Sequence, residues 1–106
     1  MKEVQYQAKL IRKIQQMFPG CQVIKLDPRE TQGIPDILIL YRNQWAMLEV
    51  KMAPTSNEQP NQDYYVGLFD EMSFASFINP DNEEEVLNAL QSTFGSVGEA
   101  RIPQPQ

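Results

Sequence analysis

The chain has 106 residues, a net charge of -5, 42% hydrophobic and 22% charged residues, which suits one small folded domain and leaves too little chain for two cores. It has one cysteine, Cys21, and no histidine, which excludes an internal disulfide, a cysteine-based zinc or iron–sulfur site, and any site that needs imidazole. No stretch approaches the roughly 20 apolar residues of a transmembrane helix, and the polar start does not resemble a signal peptide, so we expect a cytoplasmic protein.

The first predicted element is an amphipathic helix over residues 2–18. Its apolar residues recur at helical spacing, and Pro19-Gly20 ends the pattern. Plotted at about 100° per residue, Glu3 falls inside the apolar arc, beside Gln7, Leu10 and Ile14. The Glu3 carboxylate is therefore expected to point toward the body of the protein.

Three predicted strands follow the helix. Residues 21–26 are rich in β-forming side chains, and a polar loop separates them from two apolar runs at residues 34–41 and 45–52. Only residues 42–44 lie between the two runs, which predicts a hairpin. Because both runs are apolar on both faces, we expect them to be central strands covered on each side.

The second half of the chain predicts a helix, a strand and a helix. After a polar loop at residues 53–61, a helix runs to about Met72, a strand covers residues 74–78, and Pro80-Asp81-Asn82 caps a helix with three glutamates in its first turn. Residues 1–94 are expected to form the single domain and residues 95–106 a flexible tail. The predicted fold is α/β, in the order α-β-β-β-α-β-α.

Three charged residues, Asp36, Glu49 and Lys51, interrupt the apolar runs of the hairpin. A two-residue turn at Arg42-Asn43 sets Asp36 opposite Glu49, with Cβ atoms about 5 Å apart, and Lys51 shares that face because strand side chains alternate. A three-residue turn would spoil this pairing unless a bulge restored it.

Two carboxylates this close repel each other unless a proton or a cation lies between them. An all-oxygen site without histidine favours magnesium or manganese, and the Lys51 ammonium would then position or help deprotonate a water aimed at a phosphorus atom. The alternative is a simple salt bridge at the rim of the sheet, formed by Lys51 with Glu49 or Asp36.

The segment Gly33-Ile34-Pro35-Asp36, followed after a strand and a turn by Glu49-Val50-Lys51, resembles the signature of the PD-(D/E)xK nuclease superfamily. The flanking elements resemble its compact VRR-NUC branch of small domains similar to Holliday-junction resolvases, and the resemblance covers about Glu3 to Leu90. It implies a restriction-endonuclease-like core with a central mixed sheet flanked by helices.

The same resemblance implies magnesium-dependent cleavage of DNA phosphodiester bonds, with manganese able to substitute for magnesium. Asp36, Glu49 and the backbone carbonyl of Val50 would be metal ligands, and Lys51 would lie near the nucleophile. Two further residues would complete the catalytic set: Glu3 would contribute to a second metal or orient a water, and Gln62 would help hold the site.

The charge is divided unevenly along the chain. Residues 1–51 hold eight basic and five acidic side chains, a net of +3, whereas residues 52–106 hold one basic and nine acidic, a net of −8. The first half is therefore the half suited to a polyanion. Candidate DNA contacts are Lys25 and Arg29, beside the nuclease signature, and Lys9 and Lys13, for which a solvated helix face is the alternative.

Three functions remain open from the sequence. The resemblance favours an endonuclease that acts on branched or junction DNA, as a homodimer because so small a domain covers only one strand, in the cytoplasm of a bacterial or phage-infected cell. The second is a catalytically inactive nuclease-fold module that binds DNA or protein. The third is a protein-binding domain that uses its acidic half.

Overall fold

The computed structural model describes residues 1–52 and 61–101, and most of the predicted loop at residues 53–61 lies outside the described residues. The described part confirms the α/β class and the predicted order α-β-β-β-α-β-α. Its elements are, in chain order, α1 (Glu3–Met17), β1 (Gln22–Lys25), β2 (Ile37–Tyr41), β3 (Gln44–Val50), α2 (Gln62–Met72), β4 (Ala75–Ile78) and α3 (Glu83–Arg101).

The four strands form one mixed sheet in the order β1-β2-β3-β4. The first two pairings are antiparallel and the third, between β3 and β4, is parallel. Tyr41 pairs with Gln44 across the predicted two-residue turn, and at the other end of the hairpin Ile37 pairs with Leu48. The predicted register is thus confirmed, and one further step along it brings Asp36 beside Glu49.

The main core lies between one face of the sheet and the helices α1 and α3. The fully buried side chains of this core come from both helices and from β2, β3 and β4; they are Leu10, Ile14, Ile37, Ile39, Leu48, Ile78, Leu90 and Phe94. Burial of large apolar side chains at these positions supplies most of the stabilisation expected for so small a domain.

Helix α2 packs on the opposite face of the sheet, over β3 and β4. The edge of the Trp45 ring meets Phe69 there, with 6.1 Å between the ring centroids. The predicted cover on both faces is therefore complete only over part of the hairpin, since Leu40 of β2 is 38% exposed; in the neighbouring strand β1, Ile24 is 44% exposed. An eleven-residue helix seated over two strands is too narrow to cover the other two.

Helix α3 continues to Arg101, so helix occupies the first part of the segment predicted to be a flexible tail, residues 95–106. Gly95 and Gly98 weaken a helix by about 1 kcal/mol each but keep the backbone N–H that the helix needs. Pro103 is the first residue of this segment that has no backbone N–H. Residues 102–106 lie outside the described residues. Among the described helices, none has the length and apolar character that crossing a membrane requires.

Candidate active site

A cleft of about 750 Å³ opens at the end of the sheet where β2 begins and β3 ends. The first turn of α1, the loop before β2 and the start of α2 form its other walls. All six residues predicted for catalysis or metal binding line this cleft: Glu3, Asp36, Glu49, Val50, Lys51 and Gln62. The fold thus brings together side chains that lie up to 59 positions apart in the sequence.

Asp36 is held at the mouth of the hairpin by bonds to both neighbouring strands. Its backbone carbonyl accepts a hydrogen bond from Leu26 N–H at 2.8 Å, and its side-chain Oδ2 accepts one from Val50 N–H at 2.9 Å. Burial raises the pKa of Asp36, while the Val50 hydrogen bond and the positive charge of Lys25 oppose that rise. The carboxylate is therefore fixed in place and has a second oxygen for a cation.

Glu49 is the most deeply buried ionisable group of the cleft, only 4% exposed. Its Oε2 accepts a hydrogen bond from Gln62 Nε2 at 2.7 Å, whereas its Oε1 is buried without a hydrogen-bond partner among the residues that the structure describes. Burial and the negative charges of Asp36 and Glu3 raise the pKa of Glu49 to about 8. A buried carboxylate in this state needs a proton or a cation.

Lys51 directly follows β3, and its backbone remains bonded to the neighbouring strand β4. Its backbone N–H donates to the carbonyl of Ile78 at 3.0 Å, so its side chain falls on the same face as Glu49. Its Nζ lies 5.5 Å from the ring centroid of Phe77, the residue paired with Glu49 on β4. The ammonium is thereby kept at the same end of the sheet as the two carboxylates.

Val50 presents its backbone to the cleft. Its N–H points at Asp36, and because the N–H and C=O of one strand residue point to the same side, its carbonyl faces that side as well. The ladder of β2 has ended there, since its last pair is Ile37 with Leu48. A carbonyl beyond the end of a neighbouring strand is suited to ligate a cation.

Glu3 enters the cleft from the first turn of α1, on the side that the helical plot predicts. Its Oε2 accepts a hydrogen bond from Gln7 Nε2 at 3.2 Å. Burial and the nearby charge of Asp36 raise its pKa, while the bond from Gln7 and the charge of Lys25 oppose the rise. Gln7 was not among the predicted site residues, although its place as an amide inside an apolar stripe marks it in the sequence.

The cleft offers a hard cation two carboxylates, Asp36 and Glu49, and the backbone carbonyl of Val50. In residues 1–52 and 61–101 no three carboxylate or thiol groups are close enough together to form a metal site, so Glu3 does not join Asp36 and Glu49 in one cluster. Two carboxylates and one backbone carbonyl nevertheless suit magnesium, which retains several waters and takes only one or two protein carboxylates. The orphaned Oε1 of Glu49 favours such an ion.

The four predicted DNA contacts divide into two groups. Arg29 lines the cleft, where its guanidinium pairs with Asp27 at 2.9 Å, and Lys25 is close enough to act on the charges of the cleft carboxylates.

Lys9 and Lys13 instead line a second groove between α1 and the start of α3. Lys13 forms an ion pair there with Glu83, and Lys9 acts on the charge of the same carboxylate. The structure therefore does not bring these two lysines to the cleft.

Comparison of the chain with protein-family models, with curated proteins and with solved structures finds no match.

Proposed function

We propose that this protein is a magnesium-dependent endonuclease that hydrolyses DNA phosphodiester bonds. The observation that carries the proposal is the environment of Glu49, a buried carboxylate with one oxygen that no described residue hydrogen-bonds, beside a second fixed carboxylate, Asp36. Two carboxylates in such proximity repel each other, so their charges do not stabilise the fold. Their presence in an open cleft, together with a lysine on the same face, is typical of a site that performs chemistry.

Asp36, Glu49 and the carbonyl of Val50 would hold the magnesium ion, and manganese would substitute for it. When bound, the ion supplies charge neutralisation on the phosphate and a lower pKa for a coordinated water. Gln62 donates to Glu49 and so fixes the rotamer in which this carboxylate faces the cleft. The Lys51 ammonium would hold the attacking water and stabilise the charge that develops on the phosphate oxygens, and the neutral Lys51 amine would be the form that takes up the proton of that water.

Glu3 would act at the edge of this arrangement. Its negative charge interacts with those of Asp36 and Glu49. Among the described residues, however, the three carboxylates are not close enough together to bind one metal ion. Glu3 is placed to orient a water or to serve a second metal ion through water. Both roles need the carboxylate to be held in one position relative to the cleft.

The preferred substrate in this proposal is branched or junction DNA, cleaved by a homodimer. Arg29 lines the cleft and Lys25 acts on the charges of its carboxylates, so both are suited to phosphate contacts, which position a duplex without reading its bases. Selection then follows from DNA shape rather than sequence. One copy of the domain offers few phosphate contacts, and a second copy would contact the phosphates of the other strand.

The test is cleavage of a nicked plasmid and of a synthetic four-way junction, each with and without magnesium. We expect magnesium-dependent cleavage, faster on the junction, that is lost in Asp36→Asn and kept in the matched control Asp81→Asn, which changes an exposed aspartate outside the cleft. Binding of the junction without cleavage would indicate the inactive nuclease-fold module instead. Cleavage that survives Asp36→Asn would show that the reactive site lies elsewhere.

A further inference from the structure

Gln7 is a buried polar residue on the core-facing side of α1, where the next residues of the stripe are apolar. It is 7% exposed, and its neighbours along the stripe, Leu10 and Ile14, are 1% and 0% exposed. Burying a side-chain amide costs free energy unless the amide is hydrogen-bonded. A methionine of similar length would fill this space without that cost, so packing alone does not explain a glutamine here.

The side-chain amide of Gln7 hydrogen-bonds to Glu3, one turn earlier in α1. Its Nε2 donates to Glu3 Oε2 at 3.2 Å, a contact that the i, i+4 spacing of a helix permits. Glu3 is the first residue of α1 and is exposed, so its long side chain would sample several rotamers if nothing held it. The buried amide provides a fixed donor that removes this freedom.

We infer that Gln7 is a positioning residue that holds the Glu3 carboxylate toward the cleft of the nuclease site. This inference rests on the proposed function. Gln7 does not itself line the cleft, whereas Glu3 does, so its effect on a bound cation or water is transmitted through Glu3. Partners of this outer kind commonly change metal affinity or activity by about 10-fold or more when they are removed.

A double-mutant cycle of Gln7→Met and Glu3→Gln tests this role. Three quantities are measured for the wild type, both single variants and the double variant: the rate of junction cleavage, the affinity for Mn²⁺ by calorimetry, and the midpoint of thermal unfolding. Gln15→Met, an exposed glutamine on the same helix, is the matched control. A merely structural role of Gln7 would lower the unfolding midpoint, whereas a positioning role leaves it equal or higher because methionine suits a buried site.

The expected result is a loss of about 10-fold in cleavage rate and a weaker Mn²⁺ affinity in Gln7→Met, with no such loss in Gln15→Met. In the Glu3→Gln background the same substitution should change neither quantity, because the group that Gln7 positions has been removed. Equal losses in both backgrounds, or a loss that accompanies a lower unfolding midpoint, would overturn the inference and leave the proposed function standing.

Failure of the proposed function has a different signature. If the wild type does not cleave in magnesium or manganese, the nuclease proposal fails, and the Mn²⁺ affinities still decide the role of Gln7. A weaker affinity in Gln7→Met that disappears in the Glu3→Gln background supports positioning at a metal site without cleavage. Absence of Mn²⁺ binding in the wild type would overturn both proposals.

Discussion

The side chain of Asp36 accepts a hydrogen bond from the backbone N–H of Val50, with 2.9 Å between Oδ2 and the nitrogen. The backbone ladder between β2 and β3 ends at Ile37 and Leu48, so a side chain replaces the backbone acceptor for the next N–H of β3. This hydrogen bond therefore joins the two strands at the open end of the hairpin and also holds a carboxylate at the cleft. The stability of the sheet end and the geometry of the site are coupled through Asp36.

Substitutions of Asp36 should separate these two effects. Asp36→Asn keeps a side-chain oxygen for Val50 N–H and removes the charge, whereas Asp36→Ala removes both. We expect Asp36→Ala to lower the free energy of unfolding by about 1–3 kcal/mol, the cost of leaving a buried donor without a partner, and Asp36→Asn to leave it near the wild-type value. Urea unfolding measures the difference, and equal stability of the two variants would contradict the structural role given to this bond.

The raised pKa of Glu49 predicts how stability depends on pH. Its folded-state pKa of about 8 lies above the ordinary value of 4.5, so the folded protein binds the proton more tightly than the unfolded chain does. The stabilising contribution is complete below about pH 4.5 and is lost as the pH rises through about 8. Without divalent cations, the free energy of unfolding should fall over this range, and Glu49→Gln should remove the fall.

Magnesium supplies the control for the same experiment. An ion that binds only the folded state stabilises it by mass action, and at pH 8 it would replace the proton on Glu49. Wild type should therefore regain stability in magnesium at pH 8, while Glu49→Gln should gain little. A wild type whose stability is unchanged by magnesium at that pH would count against a cation at this carboxylate.

Lys51 is predicted to act in the chemical step more than in metal binding. Lys51→Met keeps the length of the side chain and removes the ammonium, so cleavage should fall by about 100-fold or more while the affinity for Mn²⁺ stays within a few-fold. Lys51→Arg should restore only part of the rate, because a guanidinium cannot give up a proton at neutral pH. A large loss of Mn²⁺ affinity in Lys51→Met would instead show that Lys51 is needed to form the metal site.

The hairpin could be predicted because its length left few possibilities. Three residues between two apolar runs allow almost only a tight turn, and the alternation of strand side chains then determines which residues share a face. The turn sequence itself gave weak guidance: Arg42 adopts a positive φ of 59°, which favours glycine. Chain length and burial outweighed this local preference.

Contacts between distant segments could not be predicted in the same way. Lys13 and Glu83 are 70 positions apart, and helical spacing alone only placed Lys13 on a polar face of α1, for which a solvated surface and a DNA contact were the two interpretations. The position of α3 beside α1 determines the pairing, and no local pattern encodes it. The family resemblance predicted that Gln62 would help hold the site, but its contact with Glu49 could not be predicted, because a polar residue at a helix start has many possible partners.

Tyr6 provides a prediction that separates the stability of α1 from the chemistry of the cleft. Its hydroxyl donates to Glu83 Oε1 at 2.8 Å, and Lys13 pairs with the other oxygen of the same carboxylate. Burial raises the pKa of Glu83, but the bonds from Lys13 and Tyr6 outweigh it and leave the pKa below the usual value. The stability from this network is therefore present above about pH 4.5 and is lost as the pH falls.

Tyr6→Phe keeps the buried ring and removes the hydroxyl that bonds to Glu83. We expect it to lower the free energy of unfolding at pH 7 by about 1 kcal/mol and to leave the rate of junction cleavage unchanged, since Tyr6 and Glu83 line the second groove and not the cleft. Denaturant unfolding at pH 7 and pH 4, beside the cleavage assay, tests both parts. A lower cleavage rate in Tyr6→Phe would show that the contact between α1 and α3 also determines the position of the Glu3 carboxylate. The hydrogen bond from Gln7 would then be insufficient to hold it.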